Sequence, residues 1–467
     1  MFFGREKELE TLNKRYKNNQ FEFFVIRGRR RVGKSTLLKK FSEDKKDVIF
    51  FTAQETTKKE NLELFSKQVN TYFKKGGIYA NFQDLLTDIF ESSKKKKMIL
   101  IIDEFPYLAK SDKSIMSKLQ TLIDNYQDKT KLFLIVCGSS ISFMEEKVLS
   151  YKAPLYGRST GQMKIEPFGI KETQKYIPTY SNTDKVIIYA IFGGIPAYLR
   201  FINSKKNLQT NIINNFFDKD NVIYDEPNNL LKEELREPAV YNSIITAIAT
   251  GSSKLNEIAT KTGIEKSKIL IYLKKLIELQ IIKKEQPITE KENSRKSIYE
   301  LNDNLFKFWY RFIAQNKTSI EFDDDKERLY NEIVKPYLED YTGKIFEEIC
   351  KQYFLRNISS KDKIPFIYNQ IGRWWGTNPE LKQEEEIDLL FYTNDNKKAC
   401  FVECKWRNQK VGMDVLSDLM RKSELLNQFD EKHYALCSKS GFKQEVVEYA
   451  KENKNVWLYD LDEILAE

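Results

Sequence analysis

The chain has 467 residues, 41% of them hydrophobic and 31% charged, with a single histidine and a formal net charge of +9. That suits a globular protein of roughly three domains of ~150 residues each, and the basic balance permits a nucleic-acid partner without requiring one. No apolar run approaches the ~18 residues of a membrane helix, and the start, Met1-Phe2-Phe3-Gly4-Arg5-Glu6, turns charged too soon for a signal peptide, so a cytoplasmic protein with no membrane partner is expected.

Residues 1 to about 205 alternate helical patterns with short apolar runs at 23–26, 48–51, 98–102 and 132–136. Such runs between helices are what a parallel sheet covered on both faces requires, so this is read as an α/β domain. The first run leads into Gly28-Arg29-Arg30-Arg31-Val32-Gly33-Lys34-Ser35, a full match to G-x-x-x-x-G-K-[ST], with Thr36 opening the helix that follows. Glycines let main-chain N–H groups and the helix N-terminus face the phosphates of ATP. The expected nucleotide-binding set is therefore Gly28, Arg29, Arg30, Arg31, Val32, Gly33, Lys34, Ser35 and Thr36, with Lys34 reaching the β- and γ-phosphates and Ser35 placing its hydroxyl on Mg²⁺.

The third run ends in Asp103 and Glu104, at the carboxyl edge where α/β sheets put ligands. Asp103 is expected to hold Mg²⁺ through water, and Glu104 to polarise the attacking water as the catalytic base, which points to hydrolysis. After the fourth run, Ser139 offers a hydroxyl that would sense the γ-phosphate or serve equally as a helix cap. Arg158 is a candidate arginine finger, in cis or from a neighbouring subunit, the second case implying a homo-oligomer.

The segments Phe3-Gly4-Arg5-Glu6, the loop at 28–35, Ile102-Asp103-Glu104-Phe105, Gly138-Ser139-Ser140, Tyr156-Gly157-Arg158 and Gly193-Gly194-Ile195-Pro196-Ala197-Tyr198-Leu199 follow one another in this order. Together they resemble the archaeal-type ATPases, a branch of the AAA+/STAND-like P-loop ATPases. The resemblance covers about the first 205 residues. It implies that Arg5 lies near the adenine and that Gly193-Gly194 belongs to a lid.

Residues 206–304 read as a helical connector and a winged helix-turn-helix. Leu255, Ile258 and Ala259 form one apolar stripe, Gly263 marks the turn, and Ile269, Leu273, Leu276 and Ile277 form the second stripe. A hairpin with a charged tip between residues 284 and 297 would be the wing. Lys266, Ser267 and Lys268 open the second helix, where nucleic-acid contacts are usually made, so DNA rather than RNA is the expected nucleic-acid partner.

Residues 305–467 return to an α/β pattern, with strands at 387–392, 399–406 and 434–437. Along 399–406 side chains alternate, so Glu403 and Lys405 share one face, and Asp388 opens the apolar run before it. Two carboxylates suited to Mg²⁺ and one lysine fit phosphodiester hydrolysis, with Asp388 and Glu403 as metal ligands and Lys405 orienting the nucleophile or stabilising charge. The pattern, with the stretch at 305–312, resembles the PD-(D/E)xK nucleases, in the restriction-endonuclease-like form fused behind archaeal-type ATPases and labelled DUF234. Ile387 stands where that motif has proline. The resemblance implies a further acid from a preceding helix, Glu347, with Glu348 as the alternative. The five cysteines, Cys137, Cys350, Cys400, Cys404 and Cys437, are scattered and odd in number, and read as buried thiols.

The expected function is an ATP-driven switch or motor that positions a Mg²⁺-dependent nuclease on nucleic acid. The alternative is an ATP-dependent DNA-binding or signalling regulator whose nuclease-like domain binds without cutting.

Overall fold

The computed structural model describes residues 2–291, 294 and 296–466; Glu292, Asn293 and Arg295, part of the expected charged tip, lie outside the described residues. Its contacts divide into two compact units. The first holds residues up to 167 with 195–197, and the second 168–194 with 198 onward.

In the first unit α1 (Glu6–Lys17) precedes β1 (Glu22–Arg27), and α2 (Lys34–Ser42) leads to β2 (Val48–Thr52). Then come α3 (Lys58–Phe73), α4 (Phe82–Ser92), β3 (Met98–Asp103), α5 (Phe105–Ser111), α6 (Ile115–Tyr126), β4 (Leu132–Gly138) and β5 (Gly161–Lys164). All the strands pair in parallel, in the order β2-β3-β4-β1-β5. The apolar runs are continuous because both faces are covered. Phe24, Ile26, Ile99, Ile101, Phe133 and Ile135 pack with Leu12 of α1 and Leu37, Leu38 and Phe41 of α2. Their odd-even neighbours Phe23, Val25, Leu100, Ile102, Leu134 and Val136 pack with α3 to α6. The order inserts β4 between β1 and β3, so the glycine loop, Asp103 and Ser139 emerge from three strands at one edge.

The second unit contains α7 (Pro238–Ala249), α8 (Leu255–Thr262) and α9 (Lys266–Glu278), then the antiparallel pair β6 (Ile282–Glu285) and β7 (Ile298–Leu301). Lys266, Ser267 and Lys268 are exposed at the start of α9. The expected stripe needs one correction: Ile269, Leu273 and Leu276 are buried, but Ile277 is 37% exposed. One residue further round the helix turns the side chain by about 100°, off the buried face.

After α10 (Leu338–Arg356) comes a five-stranded mixed sheet, β8 (Gln370–Asn378), β9 (Gln383–Tyr392), β10 (Lys398–Lys405), β11 (Glu431–Ser438) and β12 (Val456–Asp460). The first three strands form an antiparallel meander. The last three run parallel, joined through α11 (Met413–Ser423) and α12 (Gln444–Glu452). One face packs Phe401, Leu390 and Leu436 against Val415, Leu416 and Val446 of the crossover helices. Toward the other, Phe346 and Phe354 of α10 meet Trp406 and Phe391. Between Gly372↔Leu390 and Trp374↔Ile387 the register slips, so Arg373 alone faces both Asp388 and Leu389. This is a β-bulge, and it bends β9 at the predicted acid.

Candidate functional site

At the loop after β1, Gly28 is required by space: a Cβ there would sit 2.4 Å from the carbonyl oxygen of Ile165. Gly33, at the N-cap of α2, has φ +92°, a conformation that glycine adopts at little cost. The loop thus delivers Lys34 and Ser35 at the first turn of a helix, where N–H groups are unpaired. The Lys34 ammonium donates to the carbonyl oxygens of Gly28 (2.8 Å) and Arg29 (2.9 Å), which holds the buried charge inside the loop. Val32 is buried, Thr36 is exposed, and Arg31 takes φ +71°. Arg30 donates to the Tyr107 hydroxyl at 2.5 Å, and Arg29 is buried.

Ser35 Oγ donates to Asp103 Oδ2 at 2.6 Å, so hydroxyl and carboxylate meet at one point. Two hard oxygen donors in contact at a helix N-terminus fit Mg²⁺. Glu104 sits in the left-handed region at φ +51°, with its N–H on Asp103 Oδ1 (3.0 Å) and its carboxylate accepting from Ser139 Oγ at 3.0 Å. Ser139 therefore orients Glu104. Arg5 is 5% exposed and donates to Val32 O (3.0 Å) and Glu166 O (2.7 Å), which anchors the N-terminal box to the loop. Arg158 is held elsewhere. Its guanidinium pairs at both ends with Asp124 (2.7 Å each) and donates to the carbonyls of Pro154 and Tyr156 (3.1 Å each). A finger role requires this pair to open.

In the second unit the β9 bulge turns the Asp388 carboxylate onto β10, where Oδ2 accepts the Cys404 N–H at 2.8 Å. A side chain thus takes a donor that a strand backbone would otherwise satisfy. Carboxylate oxygens of Glu347, Glu386 and Asp388 all lie within 4.8 Å of one another. Burial, reinforced by the charges of Glu403 and Glu347, pushes Asp388 up to about 8. Burial likewise raises Glu347, against the pull of Lys344. Of the two helix acids, Glu347 bears on Asp388, whereas Glu348 bears on Lys283 and Lys307. Glu403 pairs with Lys405, and its second oxygen lies 3.9 Å from Lys422.

The sequence reading missed Glu386, Arg373 and Lys344. Lys344 lies 3.1 Å from Glu347 and 3.5 Å from Glu386. Arg373 binds Glu386 (2.5 Å) together with Glu285 (3.1 Å) and Glu300 (2.8 Å) of the β6–β7 hairpin. Beside it the Ile288 N–H donates to Arg373 O at 2.9 Å, so the chain leaving β6 lies along β8. Glu386 stands two residues before Asp388, a spacing that marks a shared strand face.

Residues 2–202 match a family described as an ATPase domain predominantly from Archaea, and residues 309–416 match archaeal and bacterial proteins of unknown function. An uncharacterised protein of Methanocaldococcus jannaschii is 37% identical over 99% of this chain and 100% of its own length. An uncharacterised ATP-binding protein of the same organism is 48% identical over 10% of this chain and 78% of its own. Among solved structures, a Walker-type ATPase of Pyrococcus abyssi matches 66% of this chain and 96% of its own at a TM-score of 0.52 and 18% identity, a likeness of fold. No described helix is long and apolar enough to cross a membrane. The chain belongs to the family that joins an archaeal-type P-loop ATPase domain to a C-terminal DUF234 domain.

Proposed function

We propose that the ATPase domain drives or licenses Mg²⁺-dependent cleavage of nucleic-acid phosphodiesters by the C-terminal domain. The observation that carries this reading is the convergence of Glu347, Glu386 and Asp388 on one point beside Glu403 and Lys405. Burial and neighbouring acids raise the proton affinity of Glu347 and Asp388, while Arg373 and Lys344 keep Glu386 ionised, an arrangement that favours a divalent cation. When bound, Mg²⁺ would activate water and neutralise the phosphate. Glu347, Glu386 and Asp388 would hold it, with Glu403 alongside. Lys405, paired with Glu403, would orient the nucleophile or meet charge on the phosphate.

In the ATPase domain, Lys34 would leave its loop carbonyls for the β- and γ-phosphates. Ser35 and Asp103 would share Mg²⁺, and Glu104, oriented by Ser139, would take the proton of the attacking water. Arg5 would support the loop near the base. The exposed Lys266 and Lys268 of α9 would meet DNA phosphates.

A second reading has its own support. Lys344 and Arg373 already neutralise Glu347 and Glu386, as suits a nuclease-like domain that binds without cutting. One experiment separates the two: wild type, Asp388→Ala and Glu403→Ala incubated with single- and double-stranded DNA and RNA, with Mg²⁺, with and without ATP. Cutting by wild type that both variants lose supports a nuclease. ATP hydrolysis without cutting on any substrate supports the binding regulator.

A further inference from the structure

Three of the five cysteines meet at one place, and neither proposed site uses their sulfurs. Cys350 comes from α10, Cys404 from β10 and Cys437 from β11, and the latter two are register partners in the parallel pair. All three are free thiols, buried at 0%, 8% and 1% exposure. Their sulfurs lie within 4.8 Å of one another. Cys137 packs in the first unit as an ordinary apolar residue.

Metal–sulfur bonds of about 2.3 Å place three trigonal sulfurs about 4.0 Å apart. The cluster therefore approaches a three-coordinate site without rearrangement of the backbone. Thiolate donors with no oxygen or imidazole partner select soft d¹⁰ ions over Mg²⁺ or Ca²⁺. We propose that Cys350, Cys404 and Cys437 form a buried site for one thiophilic d¹⁰ ion, of the Zn(II), Cd(II) and Cu(I) class. Binding exchanges S–H protons for metal–sulfur bonds, with the protons released to solvent and no change in oxidation state. A divalent ion releases about two protons if the buried complex is to stay neutral. The ion would pin α10 to β10 and β11, the elements that carry Glu347, Glu403 and Lys405.

The test uses the full reduced chain, stripped of metal and titrated with Cd(II), Zn(II) or Cu(I). Native mass spectrometry counts the ion, and ultraviolet sulfur-to-metal charge transfer with Cd(II) separates sulfur ligation from binding at the carboxylates. The expected result is one sulfur-bound ion per chain, a charge-transfer band and a raised Tm. Cys437→Ser should weaken binding more than about 100-fold, beyond what loss of a supporting partner costs, while Cys137→Ser retains it. Should Cys437→Ser fail to fold, wild type alone decides: a folded chain that takes up no ion, or binds Cd(II) without the band, overturns the site. So does a Cys437→Ser protein that binds as wild type does.

Discussion

The two acid-bearing sites are built in opposite ways. At the ATP site the cation and the hydroxyl come from one unbroken stretch, and a single sheet edge brings Asp103, Glu104 and Ser139 to them. Lys34 rests on neutral loop carbonyls, and Asp103 is met by a neutral hydroxyl. At the C-terminal site the acids come from a helix and two strands, and Lys344, Arg373, Lys405 and Lys422 stand against them. The first is shaped for a ligand that displaces weak contacts. A metal at the second would have to displace ion pairs that its acids already make, several of them partly open to water.

The largest expected effects bear directly on this contrast. Lys34→Ala should lower ATP hydrolysis more than about 100-fold with little change in Tm, measured by phosphate release. If cleavage occurs and persists in that variant with ATP present, the two sites are uncoupled. Asp388→Asn should abolish any Mg²⁺-dependent cutting, and it should also change the pH profile of stability. Because the folded-state carboxyl of Asp388 binds its proton up to about pH 8, stability contributed at low pH is lost as pH rises from ~4 toward 8. Asp388→Asn should therefore gain Tm relative to wild type on going from pH 5 to pH 8.5, and Mg²⁺ should narrow that gap by stabilising wild type. A constant difference across this range would break the account of the acid cluster.

Arg373→Ala removes a side chain that joins Glu386 to Glu285 and Glu300; with Lys283 and Lys344 still beside these acids, it should cost about 2 kcal/mol in chemical denaturation. Restoring Tm by adding Glu300→Gln would show that the loss is stranded charge rather than lost packing. Ser139→Ala should slow ATP hydrolysis about tenfold by freeing Glu104. The smallest effect belongs to Asp124→Asn, which loosens a partly exposed ion pair and should change stability by less than about 1 kcal/mol. If Arg158 acts as a finger, that same change leaves or raises hydrolysis, while Arg158→Ala lowers it.

What the sequence made legible follows from distance along the chain. The phosphate loop announces itself because its parts are contiguous, and Asp103 does so because a short apolar run ending in two acids, in a chain that also holds that loop, reads as a buried strand at the ligand edge. Glu403 and Lys405 are legible through strand alternation, and Asp388 as the acid that opens the apolar run before them. Glu386 was hidden in the acidic stretch Glu384-Glu385-Glu386, where alternation leaves both Glu384 and Glu386 on the face of Asp388 and the folded strand brings Glu386 beside it. Arg373 lies in a strand rich in Trp and Gly with no clean alternation, and its three partners come from residues 285, 300 and 386. The cysteine cluster was invisible for the same reason, since its members meet only once α10 folds onto the sheet.

The bulge opposite Arg373 carries a consequence for how this domain tolerates change. Two residues of β9 answer one of β8, so the bearing of Asp388 depends on a count rather than on any particular neighbour. Substitutions around it can be absorbed. Deleting Leu389 would erase the mismatch and, with it, the local bend and twist that present Asp388 to β10. Related chains should therefore vary in letters along this hairpin while holding its length fixed.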